Sequence, residues 1–254
     1  MRQFRNPFAM TVKDNFSSQA DYYARYRPHY PQELYEFLYS QVSSFNTAWD
    51  CATGNGQVAV ELANRFKLVH ASDISQQQLE KAPKRNNIHY FMAPSEKTQL
   101  SAGSADLITV AQALHWFDPG KFYREVQRVI HSKGILAYWG YQLLTINTQI
   151  DLCVRNFHDV VLGEYWDDER KILLEGYNRI NFPLVDKKAA RFYYKIEWTL
   201  SEMEGYLNSW SAVQKYIKLN NESPLPVLVS KLADMWPGKK TVTFPIFLTL
   251  GKVH

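Results

Sequence analysis

Cysteine is scarce. Cys51 and Cys153 are the two thiols in 254 residues, and they form neither a Cys-x-x-Cys pair nor a zinc-ligand spacing. A disulfide scaffold and a cysteine-based metal or redox centre are therefore excluded, and a reducing compartment, the cytoplasm, is the expected location. No apolar run approaches the ~20 residues that a membrane helix needs. The stretch from Met1 to Val12 carries charge without an apolar core, so no secretory leader is expected either. Basic residues are dispersed apart from short pairs such as Lys187-Lys188 and Lys239-Lys240, in a chain of net charge +4. The concentrated cationic face that displaces counterions from nucleic acid is thus missing, and a small molecule is the expected partner. Internal repeats and low-complexity segments are absent as well, which leaves the alternation of strand and helix signals to define the fold.

Hydrophobic residues make up 46% and charged residues 21% of the chain, enough to build a core without disulfide or metal support. Aromatic residues reach 15%, more than a core of this size uses by itself, and some are expected to line a ligand pocket. Strands are predicted at Thr47 to Cys51, Leu68 to Ser72, Ile88 to Met92, Asp106 to Ala111 and Gly134 to Tyr141. Helices are predicted between them at Gln57 to Arg65, Ser75 to Ala82 and Lys121 to Ile130, after a first helix at Gln32 to Val42. Such alternation implies right-handed crossovers and a parallel sheet covered on both faces. From Leu143 to Leu184 the rhythm breaks into a helical stretch, read as a cap inserted between strands. Strand signals resume at Ala190 to Leu200 and at Thr241 to Leu250, with helices at Ser201 to Lys218 and Leu225 to Trp236 between them. The last strand pair looks hairpin-like and would place an antiparallel strand at the sheet edge. The whole reads as a single domain over residues 1–254, with a lid segment at 14–31.

The chemistry begins at Trp49-Asp50-Cys51-Ala52-Thr53-Gly54-Asn55-Gly56, a strand that ends in an acid and enters a tight turn before a helix. Gly54 and Gly56 permit close backbone approach to a ligand, and the helix beyond offers unpaired N–H groups. Asp73 ends the next strand, about 17 residues past Gly56, where a carboxylate can accept both ribose hydroxyls of a nucleoside. A dinucleotide would need G-x-G-x-x-G for its pyrophosphate, and an acid two positions before Ala52 would repel one. That acid instead suits the positively charged portion of S-adenosylmethionine (SAM), which is preferred here over NAD.

These residues resemble the class I SAM-dependent methyltransferases, within them the type 11 group that includes trans-aconitate methyltransferase-like enzymes. The resemblance rests on Asp50 through Gly56, on Asp73, on Ala93-Pro94-Ser95-Glu96 and on Ala111-Gln112-Ala113-Leu114-His115-Trp116-Phe117, and it covers nearly the whole chain. It implies a doubly wound, seven-stranded, mostly parallel α/β sheet of Rossmann-like type with a helical cap, and SAM as cofactor. Carried over, it places Asp73 and Ile74 at the ribose, Ser95 and Glu96 beside the adenine, and Ala111 and Gln112 at the methionine portion. Tyr22 and Arg27 fall in a segment that folds over the cofactor in this group, with Arg27 a partner for its carboxylate. Ala52 departs from the glycine usual in relatives and adds a methyl near the cofactor. His115 is a candidate base and, with Trp116, a candidate wall of the methyl-transfer site, while Trp166 and Arg170 of the cap are candidate substrate contacts. The reaction implied is methylation of a small molecule, a carboxylate oxygen being a nucleophile that needs no base. The competing readings are a SAM-binding protein without methylation activity and an enzyme that methylates a macromolecule.

Overall fold

The computed structural model describes residues 28–253. Tyr22, Arg27 and most of the expected lid at 14–31 lie outside the described residues.

A first helix, α1 (Gln32–Tyr39), precedes the sheet. The core alternation follows as β1 (Thr47–Cys51), α2 (Gln57–Leu62), β2 (Leu68–Asp73), α3 (Gln76–Lys81), β3 (Ile88–Met92), β4 (Ala105–Ala111), α4 (Pro119–Val129) and β5 (Ile130–Tyr141). The segment between β5 and the next strand holds α5 (Thr148–Asn156), a π-turn at Phe157–Val161, a single turn at Gly163–Tyr165 and α6 (Glu169–Leu174). Then come β6 (Val185–Trp198), α7 (Leu200–Asn208), α8 (Ser211–Asn220), α9 (Leu225–Ala233) and β7 (Lys240–Lys252). The seven strands lie in the order β3-β2-β1-β4-β5-β7-β6. All neighbouring pairs from β3 to β5 are parallel, and β7 runs antiparallel to both β5 and β6.

This placement corrects the expected edge. The antiparallel strand is the inner partner, hydrogen-bonded on both sides, and β6 forms the edge. The burial patterns give the reason: β7 alternates between buried and half-buried residues along its length, whereas β6 is largely exposed over its first half. Pairing on both sides places β7 inside the sheet, and the lysine-rich, exposed start of β6 suits an edge. The helix expected over Ser201 to Lys218 is in fact two. Ser209 turns its hydroxyl back to the Tyr206 carbonyl at 2.6 Å, and Trp210 adopts extended backbone before α8 begins.

Side-chain chemistry fixes the ends that matter for the site. Asp118 caps α4 by accepting the Lys121 N–H at 2.9 Å, with Pro119 at the first helical position, where its missing donor costs nothing. Asn147 caps α5 through the Ile150 N–H, and Thr199 with Glu202 forms a capping box on α7. The core lies on both faces of the sheet: Trp139 packs on the side of α1, α5 and α7, while Trp49 and Tyr138 pack on the side of α4. Adjacent residues on β5, Tyr138 and Trp139, thus serve opposite faces, as the two-residue period of a strand requires. Trp49 also donates its indole N–H to Ser72 at 2.9 Å, which ties β1 to β2 immediately below the loops that carry the site.

Candidate functional site

The carboxyl ends of β1, β2 and β4 lie side by side, where ligands enter open α/β sheets. After β1 the chain passes through two glycines at positive φ, Gly54 at +57° and Gly56 at +82°, and Gly56 caps α2. A Cβ on Gly56 would meet the Tyr90 hydroxyl at 2.5 Å, whereas one on Gly54 would meet nothing within 4 Å. Gly56 is therefore a packing requirement, and Gly54 borders open space. Asp73 accepts the Gly54 N–H on one oxygen at 2.8 Å and the Ser75 N–H on the other at 2.9 Å, holding the two loops together. Ile74 is half-buried beside Asp73.

Asp50 turns the other way. Its carboxylate accepts the hydroxyls of Thr53 and, at 2.8 Å, of Thr109 on β4, and burial pushes its pKa up to about 6. It is 1% exposed and braces the turn from beneath. The physical cause is that Asp50 and Thr109 are register partners on adjacent strands, so their side chains meet on one face. Ser95 is buried, and Glu96 accepts the Asp118 N–H at 3.1 Å, which links the loop after β3 to the start of α4. Ala111 ends β4. Gln112 follows at φ +57°, accepts the Tyr141 N–H on Oε1 at 2.8 Å, and keeps Nε2 buried without a partner among the described residues. Gly140 makes that contact possible, since a Cβ there would meet Gln112 Oε1 at 2.9 Å.

The segment between β5 and β6 supplies the other side. Helix α6 packs against the turn Leu114–Trp116 that follows β4. His115 is buried there, hydrogen-bonds through Nδ1 to the Tyr177 hydroxyl at 3.2 Å, and lies near-parallel to that ring. Trp116 sits beside it at 4.7 Å between ring centroids. Arg170 stands over the Trp166 ring, with Cζ 4.1 Å from the centroid, a cation–π contact that holds the guanidinium in place. The structure thus brings His115, Trp116 and Arg170 into one region, with Trp166 behind Arg170.

The methyltransferase domain family matches residues 49–138, the span from β1 through most of β5. A protein of Dictyostelium discoideum described as a methyltransferase is 34% identical over 97% of each chain. The chain belongs to the class I SAM-dependent methyltransferases. A solved structure described as a type II methyltransferase from Anaeromyxobacter dehalogenans superposes on this methyltransferase with a TM-score of 0.82, at 31% identity over 89% of this chain and 97% of that one. A phosphoethanolamine N-methyltransferase of Haemonchus contortus, solved with S-adenosylhomocysteine, shares the fold at 15% identity and a TM-score of 0.51, covering 94% of this chain and 58% of that one. S-adenosylmethionine is the cofactor of the class, and the residues present fit it: an acid between two loops, open space at Gly54 and a buried amide donor at Gln112.

In this methyltransferase Ala52 adopts φ +54°, a left-handed conformation that costs a non-glycine residue roughly 1 kcal/mol, and a glycine there would relieve it. Burial drives the pKa of His115 down to about 3, with the Arg170 charge adding to the effect and Asp167 opposing it. The imidazole is therefore neutral at physiological pH and a weak proton acceptor. We predict that kcat carries no His115 ionisation from about pH 6 to about pH 8. A limb near pH 6.5 that disappears in His115→Gln would show that it does titrate. Two further buried residues, His158 and Trp210, meet edge to face at 5.6 Å between ring centroids, and local pattern did not single out His158. Its burial comes from the π-turn, which closes a Leu162 N–H to Phe157 carbonyl bond at 3.0 Å and turns two consecutive side chains inward.

Proposed function

We propose that this methyltransferase transfers the SAM methyl group to a carboxylate oxygen of a small organic acid bound under the segment Leu143 to Leu184. The observation that carries the reading is the position of Arg170, a cation fixed over Trp166 and close enough to His115 to depress its pKa. A guanidinium in that place can bind a non-reacting carboxylate through two hydrogen bonds. The resemblance to trans-aconitate methyltransferase-like enzymes supports the same substrate class.

In this reading Asp73 holds the ribose hydroxyls, and Ser95 and Glu96 border the adenine. Gln112 offers Nε2 to the methionine portion, beside Ala111. Asp50 acts through the turn it braces, and the family resemblance assigns Arg27 and Tyr22 to cofactor binding. When bound, SAM supplies an electrophilic methyl group on a sulfonium. The chain's residues align the nucleophile and exclude water: His115, Trp116 and Tyr177 form an apolar wall, and Arg170 sets the orientation of the acid. An ionised carboxylate has no proton to lose, which agrees with a His115 that is too weak a base to take one.

The test offers methyl-labelled SAM with di- and tricarboxylic acids, monocarboxylic acids, phenols and amines, followed by alkaline hydrolysis of the products. Alkali-labile methyl esters from polycarboxylic acids are expected. Methylated phenols or amines without esters would overturn the carboxylate assignment and leave the methyltransferase assignment standing.

A further inference from the structure

His158 and Trp210 carry polar atoms that neither the cofactor nor Arg170 accounts for. His158 is 4% exposed and Trp210 1% exposed, yet His158 Nε2 and Trp210 Nε1 are buried without a hydrogen-bond partner among the described residues. The two rings meet edge to face at 5.6 Å, and Trp166 closes the group at 4.7 Å from His158 and 5.5 Å from Trp210. Trp166 spends its own N–H on the His158 carbonyl at 3.0 Å, so the indole donor of Trp210 is the one left over. A buried donor and a buried acceptor without partners each carry a desolvation penalty, and native proteins seldom leave two such groups together.

The hydrogen-bonding polarity of the pair can be assigned. His158 Nδ1 lies 2.6 Å from Asp159 Oδ1, and a carboxylate only accepts, so Nδ1 carries the proton and Nε2 presents its lone pair. Burial, reinforced by the Arg170 charge, keeps the ring's pKa below the ordinary histidine value and favours this neutral form, against the pull of Asp159. The two rings in contact therefore carry an acceptor on His158 and a donor on Trp210, and the cation Arg170 is stacked on Trp166, the third ring of the group. A carboxylate satisfies only the donor, and an ammonium only the acceptor. A hydroxyl satisfies both, giving its proton to Nε2 and accepting the indole N–H.

We propose that His158 and Trp210 form a hydroxyl-recognition subsite, and that the acceptor is a hydroxy acid whose non-reacting carboxylate lies on Arg170. This rests on the reading of Leu143 to Leu184 as the acceptor's binding segment, and it adds the functional group that distinguishes one acid from another. His158 is a specificity residue here and takes no part in moving the methyl group.

The experiment is calorimetric and needs no turnover. The full chain loaded with S-adenosylhomocysteine is titrated with matched acids that differ by one hydroxyl, malate against succinate and citrate against tricarballylate. The hydroxylated member of at least one pair is expected to bind about tenfold more tightly. His158→Phe and Trp210→Phe, checked for folding by near-ultraviolet circular dichroism, should each bring that ratio close to one while the deoxy acid binds as before. In the unaltered protein carrying ¹⁵N-labelled histidine, the His158 Nε2 resonance should move with the hydroxy acid and stay in place with its deoxy partner, an observation that does not depend on any variant folding. Equal binding within both pairs, a ratio that survives both substitutions, or no binding of any of the four acids would overturn the proposal. Failure is separable from that of the parent reading: preferential binding without ester formation would remove carboxylate methylation alone, and esters from both members of a pair at equal efficiency would remove the hydroxyl subsite alone.

Discussion

Asp73→Ala should weaken SAM binding about 10- to 150-fold, the range that corresponds to losing a charge-assisted hydrogen bond worth about 1.5 to 3 kcal/mol. Two effects combine. The ribose loses its acceptor, and the Gly54 and Ser75 N–H groups, now at 2.8 and 2.9 Å from the carboxylate, lose theirs, so the loops after β1 and β2 are no longer tied to one another. Asp73→Asn separates the two. The amide oxygen can keep one backbone bond, and the variant should hold the loops better than alanine while accepting the ribose less well than the acid. The fold should persist in both, because Asp73 caps no core cluster and the Trp49 to Ser72 bond that joins β1 to β2 lies below it. Isothermal titration with S-adenosylhomocysteine, alongside thermal unfolding, reads both quantities. Unchanged affinity in a folded Asp73→Ala would remove the residue from the cofactor site.

Arg170→Met should raise KM for the acid about 10- to 150-fold, with SAM affinity unaltered, because the charge that pairs with the non-reacting carboxylate is gone while the apolar stem still covers Trp166. The choice of methionine matters, since alanine would also remove packing against the indole. Arg170→Lys should recover little of the loss, as an ammonium cannot reproduce a two-point contact. Steady-state kinetics with the acid varied at saturating SAM gives the answer, and an unchanged KM would place the acid elsewhere. In the same variant His115 should regain part of its basicity, because Arg170 is one of the charges that depress it.

How much of this was legible in the sequence depends on how local each feature is. The turn from Asp50 to Gly56 and the acid at Asp73 are strand-end features set by neighbours in the chain, and the strands and helices that carry them appear close to where the pattern puts them. The order of β6 and β7 is not local. It is decided by which strand can bury alternate residues between two partners, and both strands read alike until their neighbours are known. Asp50 shows the same limit within the site: the spacing identifies an acid at the strand end, but its direction is set by Thr109 on β4, 59 residues away. Gln112 is similar, since its side chain is directed by the backbone of β5 at Tyr141, across a gap that Gly140 leaves open. His158 is the clearest case. A histidine in the middle of a helical stretch carries no signal, and its burial depends on a π-turn and on Trp210 arriving from α8.

A crystal structure of the full chain with S-adenosylhomocysteine and an acid that the enzyme methylates should show the ribose hydroxyls on Asp73, the free carboxylate of the acid on Arg170, and its reacting carboxylate directed past His115 toward the sulfur. A ribose bound away from Asp73, or an acceptor held without Arg170, would contradict that arrangement.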